Sequence, residues 1–168
     1  SWKANTNEAL DEADPAPTGT DFVSTTLNGK GACGLRDDGS IACWKHVSTY
    51  DDDYNLLSPP TGHTYKQISL APNNGCGLTT EGKVICWGVT DGTSFRDYGQ
   101  VTDAPTDDGY VAIATHEEVV CALKNNGQVR CWGSNHNGVQ TRFTVDDPDK
   151  ATLTMGDEEV CVQTESSE

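Results

Sequence analysis

Seven cysteines hold most of the reactive chemistry of this chain, and six of them stand in pairs ten positions apart: Cys33 with Cys43, Cys76 with Cys86, and Cys121 with Cys131. Cys161 has no such mate. Thiols at a fixed spacing either ligate a metal or bridge. Zinc ligands usually come as Cys-x2-4-Cys, and no two cysteines here are that close. Ten residues across a tight turn suit a covalent staple, so the spacing predicts three disulfides and leaves Cys161 unpaired or free for an intermolecular bridge.

Other chemistry is thinner. His46, His63, His116 and His136 are the histidines; His46 and His136 each follow a tryptophan closely, but surface-loop histidine is the plainer reading. Serine, histidine and aspartate are all present, yet no Gly-x-Ser-x-Gly elbow gives a nucleophile its setting. The runs Asp51-Asp52-Asp53 and Asp157-Glu158-Glu159 lack the glycine-centred spacing of a calcium loop and read as solvated loops. Trp2, Trp44, Trp87 and Trp132 could stack sugars, but strand positions beside a cysteine suit packing between sheets. The sequence therefore assigns no catalytic residue, no cofactor and no metal ligand.

What must position the cysteines is a hairpin written three times: Cys33-Gly34-Leu35 to Cys43-Trp44, Cys76-Gly77-Leu78 to Cys86-Trp87, and Cys121-Ala122-Leu123 to Cys131-Trp132. In each copy a Leu lies two after the first Cys, a Gly six after, and an Ile or Val eight after. A three-residue loop Asp37-Asp38-Gly39 sets Leu35 opposite Ile41 and Cys33 opposite Cys43, and needs a residue able to take positive φ at its third place, as Gly39, Gly82 and Gly127 are. Cysteine, Leu and Val then share one strand face, which should be buried.

Alignment on the hairpin reveals a further strand before each copy: Phe22 to Thr26, Tyr65 to Leu70, Tyr110 to Thr115, and Ala151 to Met155 before Cys161. Polar, variable segments separate the repeats and read as loops, with room for a short edge strand in each. Self-similarity at about 40 to 50 residues marks a propeller or solenoid. The chain is expected to be one all-β domain, 1–168, with repeats at approximately 2–43, 44–86, 87–131 and 132–168. The fourth repeat is split: Ser1-Trp2-Lys3 lines up with Cys43-Trp44-Lys45, while Val160-Cys161-Val162 lines up with Val120-Cys121-Ala122.

Composition narrows the partners. Eleven basic residues against twenty-six acidic ones give a formal charge of −15, which offers no platform for nucleic acid. No apolar run is long enough for a membrane span. Paired cysteines point to an oxidising compartment, outside the cell or at its surface, and the first residues lack the apolar core of a leader.

Cys86-Trp87-Gly88 and Cys131-Trp132-Gly133-Ser134-Asn135, each preceded by Leu-x3-Gly-x-Val, resemble the repeat of the regulator of chromosome condensation family. They are more similar still to its secreted, cysteine-paired branch. The resemblance covers nearly the whole chain and implies a β-propeller of four-stranded antiparallel blades, usually seven in a ring. Lys45 departs from the pattern where a Gly is usual, and Ser1 where a Cys is. Nothing in these residues transfers the nucleotide-exchange activity of intracellular members.

About four repeats leave three arrangements: a closed four-bladed ring, a piece of a longer array, or an open arc completed by other copies. The leading expectation is a non-enzymatic extracellular structural protein that self-assembles, as oligomer or filament, through incomplete ends at Ser1, Trp2, Val160, Cys161 and Val162. The alternative is a recognition module that binds a protein or glycan through its variable loops.

Overall fold

In the computed structural model, which describes residues 16–45, 55–92, 95–134, 144–156 and 160–164, each repeated hairpin closes on a glycine with positive φ. Gly39, Gly82 and Gly127 sit at 80°, 81° and 85°. The turn is tight: Gly39 N–H donates to the Arg36 carbonyl and Arg36 N–H to the Ser40 carbonyl. The register that follows sets Cys33 opposite Cys43 and Leu35 opposite Ile41, and repeats for Cys76 and Cys86, Leu78 and Val84, Cys121 and Cys131, and Leu123 and Val129. All three opposed cysteine pairs are disulfide-bonded, with Cα atoms 4.0 or 4.1 Å apart.

The strands are β1 (Phe22–Leu27), β2 (Gly31–Arg36), β3 (Ile41–Lys45), β4 (Tyr65–Leu70), β5 (Asn74–Thr79), β6 (Val84–Gly88), β7 (Tyr110–His116), β8 (Val119–Lys124), β9 (Val129–Gly133), β10 (Ala151–Met155) and β11 (Val160–Thr164). They make three antiparallel sheets, β1-β2-β3, β4-β5-β6 and β7-β8-β9, and a fourth of β10-β11 alone. A single 3-10 turn, Pro148–Lys150, leads into β10.

Blades of four strands were the implication of the family resemblance; among the described residues no sheet has more than three. The segments 55–64, 89–92 and 95–109 are turns and bends instead of edge strands. Pro59, Pro60 and Pro105 remove three donors a ladder would use, and tryptophans pin the backbone elsewhere. Trp87 Nε1 donates to the Leu56 carbonyl at 2.7 Å and Trp132 Nε1 to the Gln100 carbonyl at 2.8 Å, with Leu56 and Gln100 themselves fully buried.

A second regularity is a bulge. Val23, Lys66 and Val111 are each one residue too many for the partner strand, so the register shifts directly after Phe22, Tyr65 and Tyr110. In the first two repeats the aromatic ring lies over a glycine, Gly34 or Gly77, where a Cβ would strike it.

The core lies between successive sheets. Cys33, Leu35 and Ile41 of the first face Leu56, Tyr65, Ile68 and Trp87 of the second; Cys76, Leu78 and Val84 of the second face Tyr110, Ile113, Val120 and Trp132 of the third. Cys121, Leu123 and Val129 of the third face Leu153, Val160 and Val162 of the fourth. Each hairpin tip also clasps the next repeat: the carbonyls of Gly39, Gly82 and Gly127 accept the N–H of Tyr65, Tyr110 and Val145. Side chains add to the joint, with Gln67 bonding both the N–H and the carbonyl of Ile113, and Ser69 Oγ accepting from Thr115 N. The first strands stack in the order β1, β4, β7, β10, and none of the extensive strand contacts returns from β10 to β1.

Candidate functional site: the open edge of the fourth sheet

β10 and β11 pair in the register of the other first and second strands, with Thr154 opposite Cys161 and Leu153 opposite Val162, as Thr26 is opposite Cys33 and Thr25 opposite Gly34. Val160 and Val162 turn back onto the third sheet. Cys161 and Gln163 point the other way and are exposed, and the Cys161 thiol is free. Its counterparts Cys33, Cys76 and Cys121 are fully buried and disulfide-bonded to a third strand.

The backbone shows what is missing. In the complete sheets the residue three after the first cysteine donates its N–H to the hairpin's returning arm: Arg36 to Ser40 O at 2.9 Å, Thr79 to Lys83 O at 2.9 Å, Lys124 to Gln128 O at 2.8 Å. Antiparallel pairing alternates, so the residues just before and just after the cysteine point the same way. On β11 these positions are Val160, Val162 and Thr164. Among the described residues no third strand receives them. The side-chain face tells a different story: Thr152, Thr154, Cys161 and Gln163 are exposed there, and Gln163 occupies the place that Leu35, Leu78 and Leu123 hold in the other sheets. Among the described residues apolar stacking stops at this sheet, as in the polar-faced terminal units of repeat arrays, and no strand fills its hydrogen-bonding edge.

Ser1 and Trp2, the other expected assembly positions, lie outside the described residues, as do His46, His136 and the acidic runs at 51–53 and 157–159. His63 packs edge-on against Tyr65 at 5.9 Å, and His116 ends β7. Trp87 and Trp132 are buried with their N–H groups engaged, which removes them as a sugar-stacking surface. Among the described residues no cluster of His, Cys, Asp and Glu is arranged to hold a metal.

Two charged clusters decorate the hairpin roots. Arg36 meets Asp21 at 2.5 Å and lies 4.4 Å over the Phe22 ring; Lys124 meets Asp107 at 2.5 Å and lies 5.1 Å over the Tyr110 ring. The Arg36 hydrogen bond holds the Asp21 carboxyl below the usual carboxylate range, and the Lys124 and Tyr110 hydrogen bonds do the same for Asp107. Burial pushes the Tyr65 phenol up to about 12, and its hydroxyl donates to the Pro60 carbonyl at 3.0 Å.

One concave feature had no signal in the sequence. Gly29 and Lys30 from the β1–β2 turn, Pro72 and Asn73 from the β4–β5 turn, and Arg96 line a cavity of about 350 Å³. Its walls come from three separated segments, each unremarkable alone.

Known proteins place this arrangement. Residues 120–139 match the model of the Regulator of chromosome condensation (RCC1) repeat. No curated protein sequence matches the chain. In fold the chain is similar to the CRINKLY WD40 ectodomain of the Arabidopsis thaliana receptor kinase ACR4, with TM-score 0.59 and 20% identity over 79% of this chain and 44% of that one. It is similar to the ectodomain of the Physcomitrella patens receptor kinase CR4, at TM-score 0.59 and 20% identity over 81% and 34%. It is also similar to yeast RCC1 (Prp20) in its complex with Kap60, at TM-score 0.53 and 14% identity over 88% and 43%. The chain thus spans less than half the length of each of these structures. Among the described residues no helix is long and apolar enough to cross a membrane. Residues 120–139 thus carry a regulator of chromosome condensation repeat, in a chain folded as successive disulfide-stapled sheets of propeller type.

Proposed function

We propose that the chain is a non-enzymatic extracellular structural module that associates with copies of itself through its unfinished fourth sheet. The observation that carries this reading is β11, whose Val160, Val162 and Thr164 amides face a position that β3, β6 and β9 fill in the other sheets. An exposed edge is a template for strand addition, in which main-chain hydrogen bonds supply affinity. A head-to-tail contact of this kind makes a ring if its rotation closes and a filament if it does not. Three disulfides in 168 residues support an oxidising compartment. Protein docking is compatible with the fold, since the yeast RCC1 (Prp20) structure is a complex with Kap60. Electron microscopy of native material, with non-reducing mass spectrometry of the same sample, tests the proposal: multimeric particles are expected, and uniformly monomeric ones overturn it.

A second reading, recognition of a protein or glycan, is favoured by the cavity between the first two sheets. A monomer that captures a defined partner would support it over self-association.

A further inference from the structure

Three Asn-Gly pairs lie among the described residues: Asn28-Gly29, Asn74-Gly75 and Asn126-Gly127. Such a pair can react with itself, because a glycine nitrogen, with no Cβ on its own residue to shield it, reaches the carbonyl carbon of the asparagine side chain. The reaction needs a side chain that can leave its hydrogen bonds and a backbone that can turn. Asn28 is tied at both ends of its amide: Nδ2 donates to the Ala71 carbonyl at 2.9 Å, and Oδ1 accepts from Lys30 N at 2.8 Å and Gly31 N at 3.0 Å. Asn74 is fully buried on β5, which is paired on both sides. Asn126 differs. It is exposed on the tip of the third hairpin, and its side chain bonds only to Gln128: Oδ1 accepts from the backbone N at 3.1 Å, and Nδ2 donates to Oε1 at 3.2 Å. Gly127 N–H, bonded to the Lys124 carbonyl at 2.9 Å, is released when the tip opens.

This tip is also a joint. The Gly127 carbonyl accepts from Val145 N at 2.9 Å, and Gln128 bridges to Thr144. From Val145 the chain runs through the 3-10 turn into β10. A Cβ on Gly127 would strike the Val145 backbone, so the joint has little slack. We propose that Asn126 is a deamidation site whose isoaspartate product loosens the hold of the third hairpin on the fourth sheet. The Gly127 nitrogen bonds to the carbonyl carbon of the Asn126 side chain. The bond from that carbon to its own nitrogen breaks, and ammonia leaves with the Gly127 amide proton. Water then opens the cyclic imide at one carbonyl or the other, and nothing is oxidised or reduced. Opening at the side-chain carbonyl gives aspartate, which the first hairpin already carries as Asp38, its Oδ1 accepting from Ser40 N at 2.8 Å. Opening at the main-chain carbonyl gives isoaspartate, whose backbone is longer by a methylene. The lengthened tip cannot keep Gly127 N on Lys124 and the Gly127 carbonyl on Val145 together. The site does not depend on association through β11 and stands or falls separately from it.

The full chain carrying Asn137→Gln, which silences a further Asn-Gly pair outside the described residues, is aged in mildly alkaline buffer and mapped by electron-transfer fragmentation, which separates aspartate from isoaspartate. Isoaspartate is expected at position 126, with Asn28 and Asn74 unchanged. In the isoaspartate-containing fraction the Val145 and β10 amides should exchange hydrogen about tenfold faster than in fresh protein, while β5 amides keep their protection. Freshly purified Asn126→Asp should match fresh protein at Val145, since it adds the charge without the methylene. No reaction at Asn126, reaction at Asn28 or Asn74 in its place, unchanged Val145 exchange in the isoaspartate fraction, or a loosened Val145 in Asn126→Asp would overturn the proposal.

Discussion

Gly82 serves two sheets at once: its φ of 81° closes the β5–β6 turn, and its carbonyl accepts the N–H of Tyr110, the first residue of β7. A side chain there meets the left-handed penalty and a Cβ 3.2 Å from Gly109 N. Gly82→Ala is expected to cost about 1–2 kcal/mol, read as a lowered urea midpoint at unchanged slope. The carboxylates of the two charged clusters are largely solvated and set pH dependence more than stability. Asp107 is held below the ordinary carboxylate value, so what it contributes is present above about pH 3.9 and is lost as pH falls through its folded value. Lys124→Met should raise the Asp107 midpoint in a carboxyl carbon NMR titration. Tyr65 runs the other way. With its phenol pushed up to about 12, its contribution is full below the ordinary tyrosine value and lost as pH rises through the folded one. Burial raises Tyr110 as well, so near-ultraviolet absorbance should show a late-titrating tyrosine phase that Tyr65→Phe reduces and does not abolish.

At the scale of the element, the hairpin was fully legible. Cysteine, Leu and Ile or Val repeat at even spacing around a glycine, and a period of two with a fixed turn length leaves one register; the structure has that register in all three copies. The first strands were legible for the same reason, to within a residue or so. The bulges at Val23, Lys66 and Val111 were not, because they follow from how the preceding aromatic seats on the middle strand, a contact no local pattern encodes. Nor were the bonds of Gln67 to Ile113, which join residues 46 apart. At the candidate site, phase alone pointed to Val160, Cys161 and Val162, but not to the polar side-chain face beside them. Each bridge closes a short loop, so Cys76→Ala with Cys86→Ala should cost roughly 2–3 kcal/mol in denaturant unfolding. That loss should be common to reduced wild type only in part, since reduction opens the other bridges as well.

Among the described residues the cores join each sheet to the next, from the first to the fourth. Stability in such an array is close to a sum over neighbours, and its ends govern its behaviour. Among the described residues the β11 end couples a polar side-chain face to a backbone edge that no strand fills. Under the proposed association a partner would be taken up by strand pairing and not by burial of a new apolar face. Val162→Pro removes one outward N–H at a position where an edge strand tolerates proline, while Cys161→Ser tests whether a bridge is needed in addition. The most direct measurement is light-scattering molar mass across a concentration series from about 1 μM to about 1 mM, a range that brackets weak and moderate Kd values. Wild type should rise above the 18.0 kDa of a single chain as concentration increases, and Val162→Pro should stay at 18.0 kDa. A wild-type mass of 18.0 kDa at every concentration would contradict association through the fourth sheet.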